Sequence, residues 1–148
     1  MHRRKKKKNR KPKREPVYRY GVASIQEIMP FLGMPRKLRI LNQRVEVSSE
    51  RLLTYKYKGM VCEYCGVRGA FFAVERNGGP PHLNLYGYNK HGYEVLLTSD
   101  HIIPRSKGGP DSISNRRCLC TICNRDRGCT IRWEQLSLPL VWRKGASL

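Results

Sequence analysis

Two cysteine pairs, Cys62-x-x-Cys65 and Cys120-x-x-Cys123, lie 54 residues apart, and they constrain the fold more than any other feature of the chain. Each pair can grip one ion from a tight turn or a helix start. Four thiolates make a closed tetrahedral set suited to Zn²⁺, with no open position for a substrate, so the site is expected to be structural. Such a metal can contribute on the order of 10 kcal/mol to folding, which a small domain with a long loop needs. Cys118 and Cys129 lack the paired spacing and are expected to be ordinary small apolar residues. Met1 is followed by charge and not by an apolar run, so no secretory signal peptide is expected. A reducing, cytoplasmic compartment follows as the expectation, in which metal binding outranks disulfides.

Between the two pairs stands a group of residues with a different chemistry. Asp100 and His101 are adjacent, Pro104 and Gly108-Gly109 follow, then Asn115, and Asn124 comes directly after Cys123. Cleaving a phosphodiester requires a water that loses a proton, an offset for charge at phosphorus, and a stabilised leaving oxygen. An unperturbed imidazole titrates near neutrality, so a histidine such as His101 suits the general base. Asp100 offers a hard carboxylate oxygen to a divalent cation, and Asn124 offers an amide oxygen to the same ion. Two oxygen donors plus water and phosphate suit Mg²⁺ or Mn²⁺ better than Ni²⁺ or Zn²⁺. Asn115 is expected to fix the loop and orient the imidazole. Adjacent strand residues point to opposite faces, so Asp100 and His101 can serve one phosphate only where the strand ends or twists.

Lys and Arg number 30 against 11 Asp and Glu, a formal net charge of +19. No fold needs that imbalance, and it points to a polyanion, most simply nucleic acid. Residues 1–16 carry about +9 of it, in a run that includes Arg3, Arg4, Lys5, Lys6, Lys7 and Lys8. Nothing in this run can form a core, so a disordered arm that contacts phosphates without sequence preference is expected. Arg105, Lys107 and Arg127 are further expected phosphate contacts. A membrane partner is not expected, because no long apolar span or basic amphipathic helix is visible.

Residues 17–59 form a short mixed segment without evident chemistry, expected to dock or pack and offering a surface for a protein partner. Ser24 to Glu27 reads as a capping box opening a short helix that Pro30 stops. Arg44 to Val47 reads as a strand, and Ser48 or Ser49 as the cap of a helix from Glu50 to about Tyr57. Residues 60–129 form the informative unit. Phe71 to Val74 reads as a strand. Leu83–Tyr88 and Tyr93–Thr98 read as a β-hairpin around Asn89–Gly92, whose second strand runs into Asp100 and His101. An irregular loop then carries Asn115, and Cys120 to Arg127 reads as a helix closed by Gly128. Residues 130–148, with Trp133 and Trp142, are expected to cover the core.

Taken together, Cys62-x-x-Cys65, Asp100-His101-Ile102-Ile103-Pro104, Gly108-Gly109, Asn115 and Cys120-x-x-Cys123-Asn124 resemble the HNH endonuclease family. The run from His82 to Gly128 is similar to zinc-knuckle members often encoded by bacteriophages. The resemblance implies an α+β fold: a small zinc-stabilised ββα-metal (His-Me finger) nuclease domain behind a disordered basic arm. It implies metal-dependent cleavage of DNA, double-stranded by expectation, in a bacterial or phage-infected cell near the nucleoid. His101 would be the base, and Asp100 and Asn124 the ligands of a catalytic Mg²⁺ or Mn²⁺. The chain departs from the family pattern at Asn124, where many members carry histidine, and at Arg127, where related sequences often carry lysine. The alternative reading is a non-catalytic basic zinc protein bound to ribosomal RNA or to a genome.

Overall fold

Ser24 and Glu27 close a reciprocal capping box in the computed structural model, which describes residues 16–128. Ser24 Oγ accepts from the Glu27 N–H at 3.2 Å, and the Glu27 carboxylate accepts from the Ser24 N–H at 2.7 Å. The box ends strand β1 (Tyr18–Ser24) and starts helix α1 (Ile25–Ile28). Pro30 then sits in the first turn of a 3-10 turn, Met29–Phe31, where its missing N–H is not needed. The expected strand near 44–47 is β3 (Gln43–Glu46), and it pairs with β2 (Lys37–Ile40), a strand the sequence does not announce. Leu41 and Asn42 make the turn with φ of 48° and 60°. A leucine in that left-handed region runs against the Asn-Gly and Asp-Gly preference of such turns, which hides the hairpin.

Helix α2 (Glu50–Lys58) follows Ser49, then β4 (Gly69–Arg76), β5 (His82–Tyr88), β6 (Glu94–His101), β7 (Arg116–Cys120) and α3 (Thr121–Arg127). The main sheet is antiparallel in the order β1-β4-β5-β6-β7. The hairpin turn at Asn89–Gly92 forms as its residues suggest, with Asn89 Oδ1 accepting from the N–H groups of His91 and Tyr93.

β6 changes partner half-way. Glu94 to Leu96 pair with β5, and Leu97 to His101 pair with β7 on the other edge. The sheet therefore opens between the far halves of β5 and β6, leaving carbonyls that need donors. α2 supplies them. Tyr55 Oη donates to Leu97 O and Arg51 Nη2 to Leu83 O, both at 2.7 Å, while Thr54 Oγ1 meets Ser99 Oγ at 2.9 Å. Burial pushes the Tyr55 phenol up, so it remains a donor.

Tyr55 also belongs to the main core, where Ile28, Leu32, Val45, Val47 and Leu52 pack against Phe72, Val74, Leu83, Leu85, Leu97 and Cys118. Residues before and after position 60 thus share one core. Among the described residues, no helix is long and apolar enough to cross a membrane. Arm residues 1–15, with Arg3, Arg4 and Lys5 to Lys8, and Cys129 and segment 130–148 lie outside the described residues.

Candidate active site and metal centre

The first cysteine pair sits on a tight turn and the second at a helix start. Gly66, at φ 75°, donates its N–H to Cys62 O at 2.9 Å, and the Cys62 N–H bonds Val67 O at 2.8 Å. Cys120 is the N-cap of α3, its Sγ accepting from the Cys123 N–H. The four Sγ atoms of Cys62, Cys65, Cys120 and Cys123 lie within 4.8 Å of one another. Cys65 and Cys120 approach to 3.6 Å, far beyond the ~2.05 Å of a disulfide. A tetrahedron with metal–sulfur bonds of ~2.3 Å has edges of about 3.8 Å, so the spacing fits one soft, four-coordinate ion.

Burial raises the Cys62 thiol, but the backbone N–H groups around it outweigh that effect and bring it down to about 7. Cys123 is pushed up by burial and by hydrogen bonds with the other three sulfurs. Cys118 lies in the main core instead, with its thiol raised to about 12 by burial first and neighbouring negative charge second.

α3 lies against β6 so that its polar side chains meet the strand. Asn124 Nδ2 donates to Thr98 Oγ1 at 3.2 Å. Arg127, three residues further along α3 and so on the same side, donates through Nη1 to Asp100 Oδ2 at 2.7 Å. Thr98 and Asp100 share a face of β6 because they are two apart. Asp100 and Asn124 are thus brought to the same face. Arg127 Nη2 also donates to Ile102 O at 2.6 Å, and the residue is only 2% exposed. It therefore sits inside the site, not at the surface where a phosphate contact is expected. Arg117, also buried, approaches Asp100 Oδ2 to 3.7 Å and lies 4.7 Å over the Tyr64 ring. Arg105 and Lys107 are exposed on the loop beyond the strand.

His101 is the last residue of β6 and points to the other face, the one that carries Ser99 and, across the ladder, Arg116. Its Nε2 meets Asp111 Oδ1 at 3.0 Å. Asp111 also pairs with Arg116, whose guanidinium reaches Glu50 at the start of α2. Hydrogen bonds from His101 and Arg116 hold the Asp111 carboxyl down at about 2.

Asn115 is buried and bonds only backbone: Oδ1 accepts from Ile103 N–H at 2.9 Å, and Nδ2 donates to Ile103 O at 3.0 Å and Pro110 O at 2.8 Å. Its own carbonyl accepts from Ile102 N–H at 2.8 Å. Asn115 thus clamps the loop that follows His101. Among the described residues, the hydrogen bond to the imidazole comes from Asp111 instead. The clamp also explains Gly109: a Cβ there would fall 1.9 Å from Ile103 O and 2.9 Å from Asn115 Nδ2.

Residues 87–129 match the HNH endonuclease family model. That span is similar to the HNH family. No curated protein and no solved structure is significantly similar to the chain. The HNH match runs from the end of β5 through α3 and takes in Asp100, His101, Asn115, Cys120, Cys123 and Asn124. Cys62 and Cys65 lie upstream of it, so the thiolate cluster is completed by a turn from outside the matched span.

Asp111, Arg116, Arg117 and Glu50 are site residues that sequence reasoning does not reach. Each is a charged side chain whose partner lies in another element, and no spacing rule marks such pairs. His82 and His91 stand apart: His82 meets Pro80 O, and His91 lies exposed in the hairpin turn.

Proposed function

We propose that the HNH domain hydrolyses phosphodiester bonds of DNA, with His101 as general base and Asp100 and Asn124 as the protein ligands of a catalytic divalent cation. One observation carries the reading. α3 brings the amide of Asn124 and the carboxylate of Asp100 to one face of β6, and His101, on the opposite face, is the last residue of the same strand, where a phosphate at the strand end can meet both faces. Asn124 uses its Nδ2 on Thr98, which leaves the amide oxygen as the ligand atom. Two oxygen donors suit Mg²⁺ or Mn²⁺. When bound, the cation offsets charge on the phosphate and on the leaving oxygen. The chain's own part is the proton: the imidazole takes it from water at Nδ1, because Nε2 is engaged by Asp111. Asn115 holds the loop that fixes the strand end. The thiolate cluster holds Zn²⁺ as structure and ties α3 to the turn at Cys62. Arg105, Lys107 and the arm at residues 1–16 supply contacts to duplex phosphates without sequence preference.

A second reading, a basic zinc protein that binds nucleic acid without cutting it, is favoured by one observation. The Asp100 carboxylate already has a guanidinium partner in Arg127. Mn²⁺ binding separates the two. Followed by electron paramagnetic resonance on the zinc-loaded protein, the wild type is expected to take up Mn²⁺. Asp100→Ala or Asn124→Ala should weaken that binding at least about tenfold while zinc content stays constant. Equal Mn²⁺ affinity in all three proteins would remove the ligand assignment.

A further inference from the structure

Resting on the reading of His101 as base, we propose that Asp111 is a positioning residue that fixes the imidazole through Nε2 and leaves Nδ1 as the nitrogen that accepts the proton. A neutral imidazole interconverts between two tautomers and rotates about its side-chain bonds unless a partner selects one arrangement. Asp111 provides that partner at 3.0 Å. An ionised carboxylate only accepts, so Nε2 must be the donor, and in the neutral ring Nδ1 carries the lone pair.

Asp111 is itself braced. Arg116, opposite His101 in the β6–β7 ladder, pairs with Asp111 and Glu50. Arg116 also donates through Nη1 to Ser99 Oγ at 3.1 Å, and that hydroxyl meets Thr54 of α2 at 2.9 Å. The Arg116 side chain is only 11% exposed, while its partners Glu50 and Asp111 stay open to solvent. Glu50 and Thr54 lie in α2, outside the matched span of 87–129. A helix with no evident chemistry of its own thus supports the base by two routes. Asp111 stands in a loop beside glycines and proline, where turn chemistry alone would account for an aspartate, and only the fold brings it to the imidazole.

The test uses the full-length, zinc-loaded protein with two substitutions. Steady-state cleavage of a DNA duplex is measured beside ¹⁵N NMR of the His101 ring in alkaline buffer. Asp111→Ala is expected to lower kcat about 10- to 100-fold with KM nearly unchanged, the scale of a misplaced catalytic group. Asp111→Asn keeps an acceptor oxygen, which Arg116 Nη2 orients by donating to the same atom, and should recover kcat part of the way to wild type. In the spectra, wild type and Asp111→Asn show the Nε2–H tautomer alone, and Asp111→Ala shows a mixture. Wild-type kcat in Asp111→Ala, or an unchanged tautomer there, overturns the proposal. A wild type that cuts no DNA refutes the nuclease reading instead. The NMR result then decides the positioning by itself: loss of the single tautomer in Asp111→Ala upholds it, and persistence overturns it.

Discussion

Replacing His101 with alanine is expected to slow DNA cleavage by about 10²- to 10⁴-fold, the usual contribution of a positioned general base. Zinc content and DNA affinity should stay at wild-type levels. His101 lies outside both core clusters, and its side chain meets Asp111 at the strand end. Its removal therefore costs little packing, and the ladder of β6 with β7 is backbone and survives. The thiolate cluster is built from other residues altogether. Single-turnover cleavage of supercoiled plasmid, with metal analysis and a binding titration on the same preparation, separates loss of chemistry from loss of fold. Equal cleavage rates for wild type and His101→Ala would leave the proton without its acceptor and remove the mechanism.

The second large effect lies in the metal centre. Cys62→Ser is expected to abolish zinc binding and, with it, the folded state around the cluster. Structural zinc sites are worth about 10–16 kcal/mol in small peptides, which equals or exceeds the ~5–15 kcal/mol stability of a whole domain. Cys62 and Cys120 are buried, and their sulfurs lie where the turn at 62–66 meets β7 and the start of α3. Without the ion the crowded thiols hold one another only weakly. A chelator should have the same effect on the wild type. Cys118→Ala is the control, since Cys118 is a core thiol raised to about 12 and not a member of the cluster. It should keep about one zinc per chain and melt only modestly lower. Thermal unfolding with parallel zinc analysis reads both variants. A zinc-free Cys62→Ser protein with the wild-type melting temperature would reject the four-thiolate site.

What the sequence made legible was local chemistry. The Cys-x-x-Cys turns, the capping box at Ser24, the hairpin turn at Asn89 and the Gly128 end of α3 each depend on residues a few positions apart. β2 was hidden because Leu41 takes a left-handed turn position that leucine disfavours. β7 is not evident in the sequence because Arg116 and Arg117 break its apolar pattern. Both are drawn into the protein by carboxylates from distant elements, Glu50 and Asp111 for one, Asp100 and Glu63 for the other. Arg127 escaped for the same reason. An arginine in the last turn of a short helix looks like a surface charge until the fold places Asp100 beneath it. The split of Asp100 and His101 onto opposite faces was foreseeable from strand geometry, but the identity of what waits on each face was not. That depends on how α2 and α3 pack against the two sides of β6.

Incubating the zinc-loaded wild-type protein with supercoiled plasmid, with and without Mg²⁺ or Mn²⁺, puts the hydrolytic account to its most direct trial. The account predicts relaxed or linear DNA only when one of these cations is added. DNA that is bound yet stays intact under every divalent cation would contradict it and leave a basic, thiolate-clamped binding protein.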